Sequence, residues 1–257
     1  MPDLVHLEVD DGVGIVRIDR PPANAISLQL GIELVDAIRE AGDRDDVGAL
    51  VVTGGRKLFA AGADIKEMVG HGPDEIRVQV GKLGEACDLL EAVPKISIAA
   101  INGYALGGGF ELSLACDLRY AADDAILGQP EVKIGVFPGA GGTQRMSWLA
   151  GLGVARDLTY TGRQVGAAEA RELRLVDRVL PPDEVLETAV TDARGFARGP
   201  RAALAAAKEA ILGSVRMPGP AGIERERDLF VALFGHHDQR EGMQAFLEKR
   251  PPEFRGD

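Results

Sequence analysis

Two largely apolar runs, Val47–Val52 and Ile96–Ile101, each empty into a glycine turn, Thr53-Gly54-Gly55 and Asn102-Gly103 respectively. Short apolar runs bounded by turn residues read as buried strands. A helix fits between them at Asp74–Ala92, ended by Val93-Pro94, because the residue before proline is pushed out of the helical region. Upstream, Val5–Val9 and Gly14–Asp19 flank Asp10-Asp11-Gly12 and predict a hairpin, which Pro21-Pro22 ends. Ser27 can cap a helix through about Arg39, with Leu28, Ile32, Val35 and Ile38 on one face. Phe110–Cys116 reads as helix and Leu118–Ala121 as strand. This cycle of strand, turn and helix predicts an α/β fold.

After Gly141 the pattern turns helical: Thr143–Ala150, Val154–Tyr160, Ala167–Leu173, Glu184–Ala197, Arg201–Leu212, Gly222–Phe234 and Gln239–Lys249. Only Val176–Leu180 suggests another strand there. Gly199-Pro200 marks the expected boundary between an α/β core, 1–197, and a helical C-terminal region, 198–257.

Composition limits the function classes. The formal charge is −11, which argues against general nucleic-acid binding, since that needs a cationic face to displace phosphate counterions. No apolar run approaches the roughly 18 residues of a membrane span. The N-terminal Met-Pro-Asp-Leu lacks a basic region followed by an apolar run, so a reducing cytoplasm is expected, with Cys87 and Cys116 as buried, unpaired thiols. Aromatic residues make up 5%, so the core must be built mainly from Ala, Val, Leu and Ile.

The chemistry concentrates in two turns, Phe59-Ala-Ala-Gly-Ala-Asp-Ile-Lys66 and Asn102-Gly-Tyr-Ala-Leu-Gly-Gly-Gly-Phe-Glu111. Each can expose backbone N–H groups, and the second sits at a helix start, where free N–H groups and the helix dipole favour negative charge. Taken alone, the triplet Gly107–Gly109 is equally a tight turn with close helix packing. The two turns can converge on one ligand atom only if their strands are neighbours. Glu111 by itself reads as a first-turn structural residue, and Glu131, after Gln129-Pro130, as a solvated loop glutamate. Together, in otherwise apolar surroundings, they form an informative pair: two crowded carboxylates resist ionising together, leaving one as acid and one as base.

Other chemistries lack their motifs. The glycine spacing is wrong for a dinucleotide fingerprint, and no phosphate-binding loop, nucleophile elbow or His-Glu-x-x-His occurs. The adjacent His236 and His237 would face different ways on a helix, so no metal site is expected. The residues favour a carboxylate-run reaction without a cofactor.

Several segments together resemble the enoyl-CoA hydratase/isomerase (crotonase) superfamily, most of all its short-chain hydratase branch. They are Arg20-Pro21 with Asn24-Ala25, Phe59–Met68, Asn102–Glu111, Gly128–Glu131, Pro138–Arg145 and Glu241–Arg250. The resemblance implies an N-terminal spiral of ββα units, a helical C-terminal region, and homotrimers commonly paired into hexamers. It implies that Ala63 and Gly108 N–H groups form an oxyanion hole and that Glu111 and Glu131 are the catalytic pair. Water would add across the C2–C3 double bond of a trans-2-enoyl-CoA, with Glu111 activating the water and Glu131 protonating C2. Coenzyme A would enter as part of the acyl-CoA substrate. Lys57, Ala61, Asp64, Ile65, Lys66 and Gly107 are expected substrate contacts around the first turn and the triplet. Pro138, Gly139, Phe246 and Lys249 are the others. Arg56, Lys57, Lys66, Lys249 and Arg250 are candidate counter-charges for the coenzyme phosphates. Phe110 stands where hydratases often carry a small residue, which bears on acyl preference. The alternatives are a double-bond isomerase and a non-catalytic acyl-CoA- or RNA-binding member; both glutamates weigh against an idle site, and the acidic surface weighs against RNA.

Overall fold

The computed structural model describes residues 3–257. The chain opens with a hairpin, β1 (Val5–Asp10) and β2 (Val13–Ile18), and its turn residue Asp11 has φ 49°. Helix α1 (Leu28–Asp43) follows, capped by Ser27, whose Oγ accepts from the Leu30 N–H at 3.2 Å. Next come β3 (Ala49–Thr53), the short helix α2 (Ile65–Met68) and the long helix α3 (Pro73–Ala92). Proline is well suited to the first helical position of α3, where its missing N–H costs nothing. Then β4 (Ile96–Ile101), β5 (Tyr104–Leu106), α4 (Gly108–Ala115), β6 (Leu118–Ala122) and β7 (Ile126–Gly128) lead to a 3-10 turn, Pro130–Ile134. The remainder is α5 (Gly142–Thr161), β8 (Gln164–Gly166), α6 (Ala167–Glu172), β9 (Arg178–Leu180), α7 (Val185–Ala197), α8 (Arg201–Arg216), α9 (Pro220–Ala232) and α10 (His237–Glu248).

The strands form two sheets. The larger has the order β1-β2-β3-β4-β6-β9 and is parallel from β2 onward; the smaller has the order β5-β7-β8. From β4 the path is strand, short strand, helix: β4, β5, α4, then β6, β7, the 3-10 turn and α5. Single parallel bridges, Ile26 to Ala63 and Ala60 to Ala105, carry the second layer back to earlier turns of the chain. The result is the spiral of ββα units expected from the resemblance. Side chains of Val51, Val52, Ile98 and Ala99 are wholly buried, and α7 lies across β3 and β4. Alanine at 99 and 100 lets helices come close to β4, which is how a core with few aromatics still closes. Cys87 and Cys116 are buried and unpaired.

Some details differ from the sequence expectation. Val176–Leu180 is not the only strand after Gly141: Gln164–Gly166 is a second, and only Arg178–Leu180 of the expected run is strand. Thr143–Ala150 and Val154–Tyr160 run end to end as α5, with a break at Gly151 (φ 82°, ψ 163°). Glu131 sits in the 3-10 turn and not in an irregular loop. Beyond Gly199-Pro200, α8 is fastened to the core by Lys208, whose Nζ donates to the carbonyls of Leu90 and Lys95 and to Asp117. Among the described residues no helix is long and apolar enough to cross a membrane.

Candidate active site

The strands that deliver the two turns, β3 and β4, are adjacent and parallel, with Ala49 opposite Ile96 and Thr53 opposite Ala100. The first turn is then laced onto β5. The N–H groups of Phe59 and Ala60 both donate to the Tyr104 carbonyl, and Leu106 N–H donates back to Ala60. On its other side Ile26 N–H donates to Gly62 and Asp64 N–H to Ile26. Asn24, with φ 49°, ties the crossing together: its Nδ2 donates to the carbonyls of Gly54 and Phe59 at 3.1 and 3.0 Å. The Arg20…Asn24 segment is therefore scaffolding for the turn.

With its neighbours paired, the Ala63 N–H donates to no carbonyl among the described residues. Neither does Gly108 N–H, which lies at the first residue of α4, where an intrahelical partner does not exist. The two are close: a Cβ built on Gly108 would lie 3.9 Å from the Ala63 nitrogen. Both readings of the glycine triplet hold at once. A Cβ on Gly109 would lie 2.2 Å from the Ala60 carbonyl oxygen, so close packing requires glycine there. Gly107 has φ 50° and ψ −125°, and a Cβ on it would meet Glu131 Oε1 at 3.0 Å.

Glu111, in the first turn of α4, is buried. Its Oε1 accepts from the N–H groups of Ala140 and Gly142, each at 2.8 Å. Its Oε2 accepts nothing among the described residues and is left to the cleft. Burial raises its pKa above the ordinary carboxylate value, against the pull of those amides and of Arg145. Glu131 is brought beside the triplet by the β5–β7 pairing and by Gly107 N–H donating to Gly128 at 2.9 Å. Its Oε2 is buried without a partner among the described residues. Burial, with the charge of Glu111 adding to it, pushes its pKa up to about 7. One carboxyl gripped by amides and one without such support is an arrangement that can serve as a base and an acid.

Both carboxylates and both free N–H groups border a single cleft of about 1460 Å³ between α3, the two turns and the start of α5. Of the expected contacts, Ala61, Ile65, Gly107 and Gly139 line it. Lys57, Asp64, Lys66, Pro138, Phe246 and Lys249 do not. Asp64 is engaged elsewhere: it accepts from Arg20 at 2.6 Å and caps α2 through the N–H groups of Lys66 and Glu67. Pro138 is buried, whereas Lys57 and Lys66 are exposed. Phe246, on α10, is 82% exposed, and Lys249 ends that helix with φ 56°. Arg250 is held by Glu241 and Glu248 and is no free counter-charge. The cations that do line the cleft are Arg77, Lys133, Arg145 and Arg216. Arg77 and Lys133 have no carboxylate partner among the described residues. The signal for Arg77 was its spacing from Val80, Gly81 and Gly84 on one face of α3.

One grouping of metal-ligand type exists among the described residues, His237, Asp238 and Asp257, and it is not part of the cleft lining. Asp238 accepts from the N–H groups of Arg255 and Gly256, so it clasps the C-terminal tail.

The enoyl-CoA hydratase/isomerase family model matches residues 8–257. A Mycobacterium bovis protein named "Probable enoyl-CoA hydratase echA8" is 43% identical over 258 residues, with 98% of each chain covered. The crotonyl-CoA hydratase of Syntrophomonas wolfei is 41% identical over 254 residues, covering 97% of each. A crystal structure of an enoyl-CoA hydratase from Bacillus anthracis superposes with TM-score 0.94 at 38% identity, over 99% of this chain and 100% of that one. The chain belongs to the enoyl-CoA hydratase/isomerase family.

Proposed function

We propose that the protein is an enoyl-CoA hydratase, adding water across the C2–C3 double bond of a trans-2-enoyl-CoA to give a 3-hydroxyacyl-CoA, in fatty-acid or related acyl-CoA catabolism. One observation carries the reading: two unpaired N–H groups, Ala63 and Gly108, lie beside two differently supported carboxylates in one cleft. In this reading the thioester oxygen accepts from both N–H groups, which stabilise the enolate-like charge as it develops. Glu111, ionised, takes a proton from water through Oε2 as the water oxygen bonds to C3. Glu131, protonated, gives its proton to C2. Water thus supplies OH to C3 and a proton to Glu111, and the pair is reset by moving that proton to Glu131. Coenzyme A enters as part of the substrate, and no separate cofactor is invoked.

An isomerase needs only one group to carry a proton between two carbons, so a second carboxylate at the cleft, half-buried, favours hydration. The net charge of −11 disfavours an RNA-binding role. Arg77 and Lys133 at the cleft, with Lys57 and Lys66 beside the turn, are the cations proposed to face the coenzyme phosphates. We also assign residues 198–257 to a helical region that serves assembly into trimers or hexamers and covers a pocket, and the protein to the cytoplasm.

The test is whether crotonyl-CoA loses its conjugation in buffer with no added metal or cofactor, giving 3-hydroxybutyryl-CoA. Purified protein that leaves crotonyl-CoA and longer enoyl-CoA substrates unchanged refutes the reading. The acid role of Glu131 also sets a pH dependence. Its folded pKa of about 7 lies above the ordinary value, so the needed proton is present below pH 7 and lost above it. The kcat/KM profile should therefore fall on an alkaline limb near pH 7, and a profile flat from pH 6 to 9 would contradict this role.

A further inference from the structure

The segment that leads to the two N–H groups on Glu111 has no regular structure of its own: residues 136–141, Ala140 among them, are neither helix nor strand, and Gly142 opens α5. It is nevertheless required to hold the Ala140 and Gly142 amides on one carboxylate oxygen. The restraint comes from Arg145, four residues on and buried on α5. Its Nη1 donates to the Ala140 carbonyl at 2.8 Å, so that residue is held from both sides, its N–H by Glu111 and its C=O by the guanidinium. The other nitrogens are anchored to α3: Nε donates to Glu91 Oε1 at 2.8 Å, and Nη2 to Asp88 at 2.8 Å and Glu91 Oε2 at 3.2 Å. Glu91 in turn accepts from Arg216 at the end of α8. Gly141, with φ 102°, lies so close that a Cβ there would stand 2.0 Å from Arg145 Nη1. A planar fork with fixed donor directions suits this task in a way a lysine ammonium does not.

We propose that Arg145 is a positioning residue for the hydration step: it clamps the Ala140 peptide so that two N–H groups stay on Oε1 of Glu111 and only Oε2 faces the cleft as proton acceptor. This rests on the hydratase reading of the site. The electrostatics point the same way. The charged or titratable groups facing Glu111 are Arg145 from α5, Glu131 from the 3-10 turn and Cys87 from α3, whose thiol burial keeps neutral. Arg145 is the cation among them and favours the ionised base, whereas Glu131 opposes it whenever it carries charge. Glu91 and Asp88 face Arg145 and not the turn, so they anchor the clamp without contacting Glu111.

The experiment compares the parent protein with R145Q, R145K and E91Q on crotonyl-CoA, following kcat, KM and the pH profile, with circular dichroism to verify folding. Folded R145Q should lose about 100-fold in kcat with KM nearly unchanged, the scale expected when a catalytic group is displaced by about an ångström. Loss of the nearby cation should also move the acid limb of kcat/KM upward by about one pH unit. R145K, keeping charge without the fork, should restore the acid limb and only part of kcat. E91Q should lower kcat about tenfold without raising the acid limb, since a carboxylate opposing the clamp's charge is removed. An active parent with a folded R145Q of equal kcat and unmoved acid limb overturns the role of Arg145 alone. If R145Q does not fold, E91Q decides, and parental kcat in E91Q overturns the proposal. A parent without hydration refutes the underlying reading instead.

Discussion

Replacing either Glu111 or Glu131 by Gln should lower kcat by about 10²–10⁴-fold, the usual worth of a positioned acid or base. The geometry makes these clean substitutions. In Glu111→Gln the amide carbonyl can keep both bonds from Ala140 and Gly142 while the NH₂ takes the place of Oε2, so the shape persists and the proton acceptor is gone. In Glu131→Gln a carboxyl that is mostly protonated below its pKa of about 7 becomes a neutral amide of the same outline, and the proton donor is gone. Substrate binding, followed by calorimetry with a non-reacting acyl-CoA, should change little. Stability supplies an independent arm. A carboxyl whose folded pKa is raised favours the folded state at low pH, and that contribution is lost as pH rises through about 7. At pH 8 the Glu131→Gln protein should therefore melt no lower than the parent. Full activity in either mutant would end the two-carboxylate mechanism, whereas inactivity with a large fall in Tm would point to misfolding instead.

The second large effect concerns a backbone donor. Gly108→Pro removes one of the two free N–H groups at the first helical position, where proline is tolerated. The new ring meets Leu83 Cδ2, which a Cβ would approach to 2.8 Å, but that is the end of a flexible side chain. Gly108→Ala makes the same contact and keeps the N–H, so it is the control. The proline form should lose about 10²–10³-fold in kcat, the measured scale for one oxyanion donor, beyond whatever the alanine form loses. Equal kcat for the two would exclude Gly108 N–H from the reaction.

How much of this was legible in the sequence depended on what each signal needs. Strand β4 coincides with the apolar run Ile96–Ile101, and α3 begins one residue before the expected Asp74, because continuous burial and a Pro-terminated helix write themselves locally. The smaller sheet does not. Strands β5, β7 and β8 have three residues each, too few for any alternation to register, and become strands only through their partners. Which long side chains border the cleft was only partly legible, for a related reason. Lys57 and Lys66 are near the turn in sequence, but Arg77 and Lys133 line the cleft because a helix face and a 3-10 turn point them there. Asp64 is held by Arg20, 44 positions away, a pairing that nothing local in the sequence announces. Arg145 stands within a motif, yet its partner Glu91 is 54 positions distant, so nothing local announces the clamp.

The Ala63 and Gly108 donors belong to the peptide chain itself. Nearly every codon change at either position leaves the amide in place; proline alone deletes it. The carboxylates enjoy no such protection, since one base change can abolish each. If the proposed roles hold, evolution or a protein engineer working on this scaffold inherits the anion receptor almost for free and needs only to rewrite the acids around it to reach a different transformation of the same thioesters.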